Sequence, residues 1–136
     1  MHLSLDTAQK LKSAGIEWKP ATHDFFAIPD VDMDDRVFAL SDMTVSMEVL
    51  DGYKAITFVG SVEWALDFIY HSDAVWLPTE SQLRELIIAQ LSDQPSLSLQ
   101  TSIGGYVVTV ETETGRKVFE GVTALEAYAA ALLAIG

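Results

Sequence analysis

The sequence predicts an α+β fold: a mainly antiparallel sheet with three to four helices packed on it. Asp51-Gly52 lies between two alternating arms, and that dipeptide readily takes the positive φ angles of a tight hairpin turn. Two T-x-x-[QE] segments, Thr79–Gln82 and Thr123–Glu126, open apolar-periodic stretches and read as helix capping boxes. Strands and helices cluster along the chain instead of alternating, which disfavours a parallel sheet. A length of 136 residues corresponds to a single domain spanning residues 1–136.

The first element reads as a helix. Ser4 or Asp6 caps it, Leu5, Ala8 and Leu11 form a narrow apolar stripe, and Gly15 suits a left-handed stop. Trp18 and Pro20 follow in a loop. Asp24–Ile28 predicts a short strand ended by Pro29 and an acidic turn, and Arg36–Leu40 a second. The hairpin arms are Thr44–Leu50 and Tyr53–Val59. The second is apolar on both faces near its end, which places it inside a sheet rather than at an edge.

After Gly60-Ser61, the residues Val62, Ala65, Leu66 and Ile69 fall at i, i+3, i+4, i+7, predicting a helix over Val62–Tyr70. Trp64, Phe68 and Tyr70 make a strand the competing reading. Ala74–Leu77 is a short apolar run stopped by Pro78. The helix opened by Thr79 continues through Leu83, Leu86, Ile87 and Leu91, and Ser92–Ser96 is a loop. Leu97–Thr101, Tyr106–Val110 and Lys117–Glu120 predict a β-meander turning at Gly104-Gly105 and Glu113-Thr114-Gly115. Thr123–Ile135 closes the chain as a helix with Leu125, Tyr128, Ala129, Leu132 and Leu133 on one broad face.

Composition narrows the function. The hydrophobic fraction of 49% and charged fraction of 21% are those of an ordinary globular protein. With no cysteine there is no disulfide framework, thiolate zinc site or cysteine nucleophile. The N-terminus lacks a basic region followed by an apolar stretch, and the apolar run Ala127–Ile135 is shorter than the ~20 residues that span a bilayer. The expectation is a cytoplasmic protein with no membrane partner. A net charge of −12 disfavours nucleic acid, whose phosphates it repels, and serves solubility. That charge is uneven: between Pro20 and Tyr53 eight acids face Arg36 alone, −7 of the total.

No chemical motif is complete. Asp30-Val31-Asp32-Met33-Asp34-Asp35 has the D-x-D-x-D spacing of a calcium loop. The EF-hand needs glycine at its sixth position and glutamate at its twelfth, and Asp35 and Ser41 stand there. The run reads as a solvated acidic loop. His2, His23 and His71 lack metal-ligand spacing. His23-Asp24 and His71-Ser72-Asp73 put acids beside two of them, and Ser72 or Ser81 with His71 and Asp73 leaves a triad open without a G-x-S-x-G elbow. Phosphate-cradling glycine motifs are absent. Trp18, Phe25, Phe26, Trp64, Trp76 and Tyr106 read as core aromatics. No catalytic, cofactor-binding or metal-ligating residue is assigned from sequence.

Two stretches carry a resemblance. Leu77-Pro78-Thr79-Glu80-Ser81-Gln82-Leu83-Arg84-Glu85-Leu86 is similar to a P-T-x-S-x-L-x-E-L segment, and Gly121-Val122-Thr123-Ala124-Leu125-Glu126-Ala127 to a G-x-T-x-x-E-A helix. Both resemble segments of small hypothetical proteins of phages and prophages, as does an opening helix ending in Ala-Gly before an aromatic. The resemblance covers about half the chain, and Asp30–Val59 departs from it. It implies an accessory protein rather than a metabolic enzyme and carries over no functional residue.

The expected function is that of a non-enzymatic interaction domain binding a protein partner. Self-association as a homodimer is an open form of it, through the smooth second face that Ala130, Ala131 and Ala134 leave on the last helix or through the second apolar face of the hairpin with Ile56 and Phe58, and a monomer whose own helices cover both is the alternative. The alternatives are a small enzyme with a site assembled from scattered Asp, His and Ser residues, or an acidic mimic of nucleic acid.

Overall fold

Nine strands and three α-helices are present in a computed structural model that describes residues 2–21, 23–29, 33–40, 44–59, 68–91 and 95–135. In chain order they begin with α1 (Leu5–Ser13), β1 (Phe25–Ile28), β2 (Met33–Ala39), β3 (Thr44–Leu50), β4 (Tyr53–Val59) and β5 (Phe68–Tyr70). A 3-10 turn over His71–Asp73 leads to β6 (Val75–Leu77), α2 (Glu80–Gln90), β7 (Ser96–Ser102), β8 (Gly105–Thr112), β9 (Gly115–Gly121) and α3 (Ala124–Ile135). The strands form three antiparallel sheets, ordered β2-β1-β6, β3-β4-β5 and β7-β8-β9. The fold class is α+β, as the clustering of elements implies. Contacts divide the chain into two compact units: Met1–Ile16 with Pro78–Gly136, and Glu17–Leu77.

The first unit is organised by α3, which packs on β8 and β9 and is flanked by α1 and α2. Leu125, Tyr128 and Leu132 supply the apolar stripe, and Ala127, Ala129 and Ala131 are also buried. The small side chains let neighbours approach on several faces at once. Of the three alanines read as a second smooth face, Ala131 is buried, Ala130 is half-buried and Ala134 is exposed.

Caps set the helix starts. Ser4, not Asp6, is the α1 N-cap, its hydroxyl oxygen accepting from the Thr7 N–H. Gly15 takes φ +90° just beyond the C-cap. Thr79 and Gln82 form the reciprocal capping box expected of α2, with bonds of 2.9 and 3.3 Å. The second box is diverted. The Glu126 N–H donates to the Thr123 hydroxyl at 3.1 Å. The Glu126 carboxylate, however, accepts from the Thr7 hydroxyl at 2.7 Å and the Ser4 N–H at 3.4 Å. It thus sits at the N-terminus of α1, where unpaired donors and the helix dipole favour an anion.

In the second unit β1 is the central strand of its sheet, with Phe26, Ala27 and Ile28 buried in succession. Such two-sided burial is what a strand covered on both faces requires. β4 is likewise central between β3 and β5. The hairpin turns at Asp51-Gly52 with φ of +51° and +85°. One core joins the sheets: Trp18, Phe26, Ile28, Leu40, Ile56 and Ala74, with Phe38 and Trp76 packed against it.

One expectation is corrected. Phe68–Tyr70 is a strand, not the end of a helix, pairing Phe68, Ile69 and Tyr70 with Thr57, Ile56 and Ala55. Aromatic and β-branched residues fit a pleated surface better than a helix, and β4 offers a free edge to pair with. Residues 62–67 of that expected helix lie outside the described residues.

Gly121 makes a close backbone approach in the first unit. A Cβ there would press on the Ala127 amide nitrogen and stand 2.8 Å from the Glu126 carbonyl carbon. Both are backbone atoms that no rotamer change relieves. Gly121→Ala is therefore expected to lose about 1–3 kcal/mol, the range for overpacking a core. Urea unfolding measures it, and a midpoint unchanged from the parent would contradict the packing of α3 on β9.

Candidate functional site

Asp24 stands immediately before the apolar β1, and burial follows from that position. It is 4% exposed, the buried charged residue among those described. Its Oδ2 accepts from the Trp18 indole Nε1–H at 2.9 Å and from the Ala21 N–H at 3.0 Å. Its own N–H donates to the Ala21 carbonyl, and its carbonyl accepts from the Leu40 N–H. The preceding His23 has φ +73°, a left-handed conformation at the tight turn. Trp18 and Ala21 are thereby held to one carboxylate oxygen.

Trp18 is fixed from three sides. Besides the bond to Asp24, its ring lies 5.4 Å from Phe26 and stacks on the His71 imidazole at 5.8 Å. His71 Nε2 lies 2.7 Å from the Trp18 carbonyl oxygen. A carbonyl only accepts, so Nε2 carries the hydrogen and donates it. Trp76 differs: its indole nitrogen is buried with no partner among the described residues.

Beside this arrangement lies an open cleft of about 410 Å³. Trp18, Pro20 and His71 line it together with Val49 and Lys54 of the hairpin. Val49 and Lys54 face each other across β3 and β4. Glu17 and Lys19 complete the rim. Val49 is 69% exposed, a large aliphatic group held at the mouth. At the turn of the same hairpin, next to the Val49–Lys54 pair, the Tyr70 hydroxyl reaches Asp51 at 3.5 Å, and its ring meets Tyr53 edge-on. Desolvation, then the Asp51 charge, raises the Tyr70 phenol above its ordinary value.

A second hollow, about 530 Å³ in the first unit, lies behind the β8–β9 turn and is lined by Thr112, Thr114 and Lys117 among others. Its polar groups serve the turn itself: the Thr112 hydroxyl is 3.0 Å from that of Thr114 and 2.9 Å from the Gly115 carbonyl. Leu91, Ala134 and Ile135 supply the apolar part of its lining.

The residues singled out by sequence separate. Asp24 serves Trp18 and the Ala21 N–H. His71, Ser72 and Asp73 share the 3-10 turn, but Nε2, the nitrogen that would face a serine nucleophile, is given to the Trp18 carbonyl. Ser81 lies on α2 in the other unit. Trp18, Phe26 and Trp76 are core aromatics as expected. Trp64 and Asp30-Val31-Asp32 lie outside the described residues, and Met33-Asp34-Asp35 begin β2. Among the described residues no three His, Asp or Glu side chains converge on a metal-sized site, and no helix is long and apolar enough to cross a membrane.

No protein-family model, curated protein or solved structure matches the chain. The role of each residue therefore rests on its own chemistry and surroundings. Asp24 is noted in the sequence as the acid beside His23, and its role as acceptor for Trp18 is not. Its signal was positional: a single acid directly abutting Phe25-Phe26-Ala27-Ile28 must find donors if it enters the core.

Removing the Asp24 carboxylate leaves the Trp18 and Ala21 N–H groups without an acceptor. Asp24→Ala is expected to cost about 2–4 kcal/mol, from two stranded donors at 1–3 kcal/mol each. Asp24→Asn, whose amide oxygen still accepts, should cost less than half as much. Chemical denaturation of both variants checks the order, and an alanine variant as stable as the parent would contradict it.

Proposed function

We propose that the chain is a non-catalytic binding domain that captures a protein partner in the cleft of the second unit. The observation that carries this reading is how the chemically capable groups are used. The Asp24 carboxylate is bonded to Trp18 and Ala21, and the His71 Nε2 hydrogen to the Trp18 carbonyl. Acid and base are committed to holding an aromatic wall. What remains facing solvent beside the buried Trp18 is contact surface: the half-buried Pro20 and the exposed Val49. Apolar groups presented by a rigid frame are the usual basis of protein recognition.

A partner different from the chain itself fits better than a second copy. Of the α3 surface that a twofold contact would use, Ala131 is already buried within its own unit and Ala130 is half-buried, which leaves Ala134 exposed.

Immobilised chain should retain a discrete protein from a lysate of its source cell. Val49→Glu places a charge at the cleft mouth and should abolish retention with an unchanged circular dichroism spectrum. Val118→Glu, an equally disruptive change on exposed β9 of the other unit, should leave retention intact. The reverse pattern would overturn the assignment of the cleft.

A further inference from the structure

We infer that the cleft selects an acidic peptide segment, one that sets an aromatic or aliphatic side chain beside a carboxylate. This rests on the reading of the cleft as a protein-binding site and adds the chemistry of the ligand.

Charge placement supports it. Glu17–Leu77 contains twelve acidic and three basic residues. Two of those three bases, Lys19 and Lys54, line this cleft, with Glu17 as the sole acid among the described residues that line it. A unit of net −9 thus presents a local surplus of positive charge where its aromatic wall is open. Both lysines are exposed, and neither forms an ion pair with another described residue. Their ammonium groups are available to an incoming carboxylate. Lys54 projects beside Val49 on the same face of the hairpin, so a carboxylate at Lys54 sets its neighbouring side chain against Val49 and Trp18.

The unfavourable field of the remaining acids does not cancel this attraction at contact. At physiological ionic strength charges are screened over about 8 Å, so the groups that touch the ligand dominate. The open form of the cleft argues for a peptide segment over a small molecule. A small ligand is normally enclosed over most of its surface, whereas Val49 stands largely in solvent. A segment that continues past the mouth covers Val49 as well as the floor.

The test uses the intact chain and intrinsic tryptophan fluorescence, with two end-blocked peptides of equal length alternating phenylalanine with aspartate or with lysine. The aspartate peptide should bind about tenfold or more tightly than the lysine peptide, a difference near 1.4 kcal/mol. Lys19→Gln combined with Lys54→Gln should abolish that preference while leaving circular dichroism unchanged. Phenylacetate, the small-molecule probe, should bind more weakly than the aspartate peptide. Equal binding of both peptides, persistence of the preference in the double variant, or phenylacetate binding as tightly as the peptide would each overturn the inference. If both peptides bind equally and Val49→Glu removes both, the cleft stands and only its charge selectivity falls. If neither peptide binds, the inference fails, and the lysate capture decides separately whether the cleft binds protein.

Discussion

A carboxylate leaves water only where donors replace its hydration, and that constraint shapes the second unit. Asp24 enters the core because Trp18 and Ala21 supply N–H groups to one of its oxygens. In doing so it draws the chain before β1 into a turn tight enough to put His23 at a left-handed φ. The same bond orients Trp18, so that one side of the ring meets Phe26 and His71 while the cleft opens beside it. Core packing and the candidate site are therefore two consequences of one buried acid. The aliphatic and aromatic residues supply the stabilisation, and Asp24 decides their arrangement.

The first unit obeys the same rule by a different route. Its polar side chains go to the helix ends, where donors are unpaired by construction. Thr79 and Gln82 satisfy each other within α2. Glu126 leaves its own helix and caps α1 instead, a tie between residues more than a hundred positions apart. Such a long-range bond fixes the two helix starts to each other, and the close approach of Gly121 to α3 fixes the sheet to the same place.

Features governed by neighbours in the chain were legible in the sequence. Asp51-Gly52 dictates its hairpin, and the register around it runs unbroken from Thr44↔Val59 to Leu50↔Tyr53. Thr79, Gly15 and the leucine spacing of α2 and α3 likewise act within a turn or two. What was not legible depends on distant partners. Ile69 falls at helical spacing from Val62, Ala65 and Leu66 in the sequence, yet Ile69 itself is drawn into a strand by its pairing with Ile56. Glu126 fits a local capping box, and only the presence of Ser4 and Thr7 redirects it. The cleft was hidden for the same reason: Trp18, Val49, Lys54 and His71 are scattered in sequence, and no motif joins them. Counting charges along the chain found the acidic bias but not the lysine pair, which shares a surface only after the hairpin folds beside the Trp18 loop.

The direct measurement of the Asp24–Trp18 bond is nuclear magnetic resonance of the indole N–H protons, with the Trp18 signal assigned by its loss in Trp18→Phe. A hydrogen bond to a buried carboxylate should place that proton downfield and make its exchange with heavy water slow. Asp24→Asn, which keeps the shape but removes the charge, should move it upfield and quicken its exchange. A Trp18 indole proton that keeps the same position and exchange rate in parent and variant would contradict the account, because the wall of the cleft would then be held by something other than Asp24.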